Sequence, residues 1–202
     1  MPSANVNQKT RKMVAIAMLG AITTILMYFE TPLPFFPPFL KLDVSNIGII
    51  VGAFLFGPTA VIPIAFIPNF FHFLSSSSGG AGQLANFLLS CAYGIPAGIL
   101  YKSIHTKKGA VVGCLTGTLC ATVAGAFTNM YIIIPFYANV MLMPLERIWA
   151  ACAAVNPLIV DLNTYIIYGA VPFNLLKYSV ISIITIVIYK PISRILHQYG
   201  RI

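Results

Sequence analysis

Lys177 is the residue whose position most needs a chemical reason. It interrupts a run from Leu162 to Tyr189 that is otherwise free of charge. Thirteen residues separate it from Lys190, or about 20 Å along a helix, two-thirds of a hydrocarbon core roughly 30 Å thick. A cation at that depth costs about 2.5–3.5 kcal/mol unless something compensates it. Either the side chain snorkels to the outer headgroups or it faces a polar cavity inside a helix bundle. Asn174 favours the cavity, because at i, i+3 it shares a helix face with Lys177 and lies just past Pro172, where backbone carbonyls lose their partners. Asn129 stands 21 residues after Lys108, about 31 Å along the preceding span, at a depth comparable to Asn174. One ammonium and two carboxamides supply donors and acceptors for a planar, amide-rich ligand. Taken alone, Asn129 reads equally well as an interhelical hydrogen bond.

Aromatic residues are expected near the same level: Phe35, Phe36 and Phe39 in a proline-rich segment, with Tyr93 and Tyr131 nearby. Such residues suit a flat heteroaromatic ligand, and they equally suit an interfacial aromatic belt. The sequence has no HExxH, GxSxG or GxxxxGK[ST]. Its histidines, His72, His105 and His197, are scattered, so no metal site is expected. Cys91, Cys114, Cys120 and Cys152 lie in apolar stretches without a CxxC pair and read as small packing residues. Catalysis has little support, although Lys177 or Asp161 would be the acid–base group of an intramembrane enzyme. A structural membrane subunit without a ligand site is the remaining class.

The elements that must hold these residues are membrane helices. Hydrophobic residues make up 58% of the 202 and charged residues 8%, too few polar side chains to face water. The net charge of +8 is gathered at Lys9, Arg11 and Lys12, at Lys102, Lys107 and Lys108, and at Lys190, Arg194 and Arg201. These clusters flank apolar runs in the positive-inside pattern, which excludes a nucleic-acid groove. Met13 to Phe29 reads as an uncleaved first span, followed by a stiff segment from Thr31 to Asp43 with prolines at 32, 34, 37 and 38. Val44 to Leu74, broken at Gly57-Pro58, reads as two helices, the first unusually short. Ser75 to Gly82 is a flexible loop, and Gln83 to Tyr101 forms the fourth span. Gly109 to about Tyr137 gives the fifth, 138 to 164 a structured outer loop with short helices, and about Tyr165 to Tyr189 the sixth, kinked or opened at Pro172. The expected architecture is one all-α domain over 1–202, an integral membrane protein of six transmembrane helices. Both termini lie in the cytoplasm, with Glu30, Asp43, Glu146 and Asp161 outside. Small residues mark close approaches: Gly113, Gly117, Ala121 and Gly125 within the bundle, and Ala17 and Ala21, with Gly20, on a flat face of span one open to another protein.

The ordered segments PPFLKLDVSNIG (37–48), GAFLFGPTA (52–60), NFFHFL (69–74), GQLANFL (82–88), PAGILYK (96–102), TNMYIIIPFY (128–137), NPLIVDL (156–162) and VPFNLLKYSVIS (171–182) cover nearly the whole chain. Together they resemble the substrate-binding (S) components of energy-coupling-factor vitamin transporters, and among them the riboflavin-specific kind. The resemblance implies a multi-pass, six-helix subunit of the cell membrane that binds riboflavin as a transported ligand, with no cofactor, in a pocket open to the outside. The proline-rich segment would be its lid. Asn129, Asn174 and Lys177 fall on the flavin-contacting positions, Leu40, Lys41 and Leu42 would close over the ligand, and Gln83 and Asn86 complete the site. Gln83 departs from the family's acidic residue in that segment, where it keeps hydrogen-bonding capacity toward a ribityl hydroxyl. Ala17 and Ala21 match the AxxxA surface that docks such subunits onto a transmembrane coupling subunit. That partner works with two cytosolic ATPases, and the S component is thought to topple in the membrane to release its vitamin.

Overall fold

A computed structural model describes residues 3–76 and 79–189, with side chains from Gln8 onward. The expected basic cluster at Lys190, Arg194 and Arg201 lies outside the described residues. The chain is almost entirely helical: α1 (Ser3–Tyr28), α2 (Asn46–Phe56), α3 (Val61–Phe73), α4 (Ala81–Ser103), α5 (Lys107–Thr128), α6 (Ile134–Asn139), α7 (Leu145–Ala153), α8 (Leu162–Tyr165) and α9 (Val171–Val187). Two short strands, β1 (Thr31–Pro32) and β2 (Lys41–Leu42), pair antiparallel and close the proline-rich segment into a compact loop.

Among the described residues, four helical stretches are long and apolar enough to cross a membrane: Gln8–Tyr28, Ala81–Ser103, Lys107–Asn139 and Leu162–Val187. Two shorter apolar helices, Asn46–Phe56 and Pro58–Phe73, fill the place of the second and third expected spans. The break between them is dictated by sequence. Gly57 adopts φ +86°, a conformation open to glycine, and Pro58 then starts a 3₁₀ turn that leads into α3. The segment 138–161 carries the nine-residue α7, far too short to cross a membrane.

The stretches Lys107–Asn139 and Leu162–Val187 are longer and less regular than expected of the fifth and sixth spans. The fifth runs to Asn139 without interruption, and each contains a π turn, at Asn129–Ile133 and at Ile166–Ala170. In each, an i→i−5 bond (Ile134 to Asn129, Val171 to Ile166) sits one residue before a proline, Pro135 or Pro172. A proline ring would collide with the carbonyl four residues earlier, and the wider turn relieves that collision. Thus Pro172 opens its helix as a π turn, and Pro135 does the same to its partner.

Lipid tails are as apolar as leucine, so the bundle is held by close packing more than by burial of apolar surface. A Cβ on Gly113 would stand 2.8 Å from the Ala97 carbonyl oxygen, and one on Gly117 would stand 2.4 Å from that of Tyr93. These glycines let α4 and α5 meet backbone to backbone. On α1 the small residues divide. Gly20 is buried against Ile67, while Ala17 and Ala21 remain exposed beside Met18, Ile22 and Ile25. Leu115, Leu119, Val123 and Ile183 likewise point outward, the surface of a multi-pass membrane protein.

Candidate functional site

The bundle encloses a cavity of about 690 Å³, within the range of small-molecule sites. Its walls come from the end of α1, the loop after it, α3, α4, the first π turn and α9. Asn129, Asn174, Lys177, Leu40, Lys41, Gln83 and Asn86 all line it. Leu42 does not; it lies between Lys41 and Asp43, which do, and successive strand residues point to opposite faces.

Lys177 is only 5% exposed and points inward. Its Nζ donates to Asp43 Oδ2 at 2.6 Å and to Asn86 Oδ1 at 3.2 Å. The polar chain continues, since Asn86 Nδ2 donates to Asn69 Oδ1 at 3.2 Å and Asn69 Nδ2 to the Ala65 carbonyl at 2.8 Å. The buried cation is therefore compensated by a carboxylate and shared amides. An uncompensated charge there would cost several kcal/mol. Asp43 is equally buried, and its Oδ1 accepts from both the backbone N–H (3.0 Å) and the hydroxyl of Ser45. Burial alone would raise its pKa, but the charge of Lys177 and these hydrogen bonds outweigh that and hold the carboxyl below its usual range.

The two asparagines are held by their own helices. Asn129 Nδ2 donates to the Gly125 carbonyl and Asn174 Nδ2 to that of Ala170, each at 2.8 Å. The buried Tyr165 hydroxyl donates to Asn129 Oδ1 at 2.6 Å, which fixes the amide's orientation. Each amide retains one N–H, Asn174 also its oxygen, and the ammonium a third N–H. Near the opening, Lys41 pairs with Glu30, whose Oε1 lies 3.8 Å from His72 Nε2, and Gln83 Nε2 is 3.0 Å from His72 Nδ1. Both lining ammonium groups thus face a carboxylate, and the cavity is close to neutral.

Of the expected aromatic residues, Phe39 lines the cavity, joined by Tyr28, Tyr137 and Phe173, which composition alone did not single out. Phe36 packs edge-on against Phe173 from behind. Phe35 and Tyr131 are exposed, and Tyr93 is fully buried with its hydroxyl 3.0 Å from Ser182, because its register on α4 aims it into the core. Asp161 does not line the cavity. It caps α8 at the surface, accepting from the Thr164 N–H at 2.8 Å, and the Thr164 hydroxyl and N–H hold its carboxyl below the usual range. Asp43, Tyr165 and Tyr137 were missed as site residues. The only sequence signal for Asp43 was the uncompensated cation itself.

The family described as "ECF transporter, substrate-specific component" matches residues 11–189. The chain is 30% identical over 191 residues to the riboflavin transporter RibU of Staphylococcus aureus, covering 95% of each. It is 29% identical over 184 residues to the riboflavin transporter FmnP of Bacillus subtilis, covering 90% of this chain and 91% of that one. A solved structure of the S component of a bacterial ECF transporter superposes with a TM-score of 0.73 at 27% identity, over 93% of this chain and 98% of that one. These relatives are named transporters, which removes the enzyme reading.

Proposed function

The chain belongs to the substrate-specific components of ECF transporters, and from that premise we propose that it captures riboflavin from outside the cell and presents it for ATP-driven uptake. The observation that carries this is convergence: Asn129, Asn174 and Lys177, from two helices, reach one near-neutral cavity with hydrogen-bonding capacity to spare. A flavin is flat and uncharged and carries an imide edge. The remaining N–H groups and the Asn174 oxygen match that edge, while Phe39, Tyr137 and Phe173 supply apolar and aromatic wall for the ring. Gln83 and Asn86 are placed for the ribityl hydroxyls. Leu40 and Lys41 cover the ligand from the loop between α1 and α2, which serves as the lid.

Six spans with both termini cytoplasmic, in the cell membrane, agree with the basic residues at Lys9, Arg11, Lys12, Lys102, Lys107 and Lys108. In this reading α2 and α3 are the two short spans. The exposed Ala17 and Ala21 form the face that meets the transmembrane coupling subunit, which engages two cytosolic ATPases. Titrating the purified protein into riboflavin should quench flavin fluorescence saturably at one ligand per chain. A folded preparation that leaves riboflavin fluorescence unchanged overturns the assignment, and a thermal-shift screen of other ring-bearing vitamins would then find the ligand.

A further inference from the structure

We infer that Asp43 is the positioning residue of this site, acting on the ligand through Lys177 and tying lid position to ligand retention. The inference rests on the cavity being the ligand site, as proposed above. Asp43 directly follows β2, the last element of the lid loop. Its Oδ1 is clamped by the N–H and hydroxyl of Ser45, at the start of α2. Its Oδ2 reaches across 134 residues of chain to Lys177 Nζ. One carboxylate therefore joins the lid, α2 and α9.

This has two effects on the ligand. The first is geometric: with two of its three N–H groups committed to Asp43 and Asn86, the ammonium is left one donor in a fixed direction. The second is mechanical. Lifting the loop moves Lys41 and Leu42, the two residues before Asp43, and so pulls on the carboxylate that holds Lys177. A bound molecule that accepts from Lys177 and touches Phe39 and Leu40 bridges both sides of that connection, and leaving requires the lid and the ammonium to separate. A carboxylate that merely neutralised a buried cation would stabilise the fold without influencing how long the ligand stays.

Asp43→Asn keeps the shape and removes the charge, and Asp43→Glu keeps the charge. Stopped-flow fluorescence with riboflavin reads association and dissociation separately, and limited trypsin cleavage after Lys41 reads the lid in ligand-free protein. Asp43→Asn is expected to speed dissociation about tenfold or more while association changes little, the usual division for a lost retaining contact. Cleavage after Lys41 should accelerate without ligand, and Asp43→Glu should recover most of both. If Asp43→Asn melts earlier yet its folded fraction releases riboflavin and resists trypsin like the parent, the positioning role is overturned. Should Asp43→Asn not fold, Asp43→Asn/Lys177→Met removes both charges and is expected to fold. Parent-like protection of Lys41 in that variant refutes the inference. Failure of the parent to bind riboflavin would overturn the proposed function instead, and the cleavage result would still stand on its own.

Discussion

Gly125→Ala offers a direct way to disturb the site without removing any of its polar groups. A Cβ at this position would lie 2.4 Å from Asn174 Nδ2 and 2.8 Å from its Cγ, so it intrudes by about 1 Å on ordinary contact. Either α5 and α9 separate or Asn174 leaves its rotamer and gives up the 2.8 Å bond to the Ala170 carbonyl. Overpacking of this kind costs about 1–3 kcal/mol, and the lost hydrogen bond about 0.5–1.5 kcal/mol net. The amide belongs to the cavity wall, so we expect at least about 1.4 kcal/mol of this to appear in binding, a tenfold or greater rise in riboflavin Kd. Gly117→Ala is the control. Its Cβ would meet the Tyr93 carbonyl oxygen at 2.4 Å, and a backbone atom cannot rotate away. That variant should lose thermal stability as a whole, with the folded fraction binding normally. The measurements are a fluorescence titration and a ligand-free melting curve for each. If Gly125→Ala binds riboflavin like the parent, or if both variants lose stability and affinity in parallel, the asparagine is not held for the ligand as argued.

Tyr165→Phe removes the donor to Asn129 Oδ1 and frees the amide to flip, so Kd should rise about threefold to tenfold with little change in melting temperature; unchanged affinity would show that Asn129 needs no such orientation. The Asp43 pKa is depressed, so its contribution is complete above the ordinary carboxylate range and is lost only as pH falls through its folded value. Riboflavin affinity and melting temperature should therefore hold from neutral pH down to that range and then drop together, and a decline already at mildly acidic pH would contradict the pairing. Ala17→Leu with Ala21→Leu should leave riboflavin quenching intact and abolish co-purification with the coupling subunit, because both positions are exposed; persistent co-purification places the docking face elsewhere.

What was legible in the sequence was mainly what lipid makes expensive. Lys177, Asn129 and Asn174 stood out because polar groups at depth need a reason, and that cost depends only on distance along a helix. The break at Gly57-Pro58 and the opening at Pro172 were legible because both are local backbone effects. The partner of Lys177 was not. Asp43 sits in a loop whose path depends on the whole bundle, and no periodicity links positions 43 and 177. For the same reason the Tyr165–Asn129 bond, which joins two helices, was hidden. The π turn before Pro135 follows the same local proline rule as the one before Pro172 and was equally legible in the sequence. Leu42 was grouped with Leu40 and Lys41 by sequence adjacency, yet it directly follows Lys41 in a strand, where successive side chains turn to opposite faces.

The brevity of α2 and α3 bears on the surrounding lipid. At 1.5 Å per residue, the eleven residues of α2 reach about 16 Å and the thirteen of α3 about 20 Å, against a hydrocarbon thickness near 30 Å. On the opposite flank, the stretch Lys107–Asn139 is more than long enough. If α2 and α3 cross the membrane as proposed, acyl chains beside the exposed Phe66, Phe70 and Phe71 must compress, while those along α5 need not. Such one-sided mismatch stores elastic stress in the membrane and favours a leaning orientation, so this molecule's resting tilt should depend on the length of the fatty acids around it.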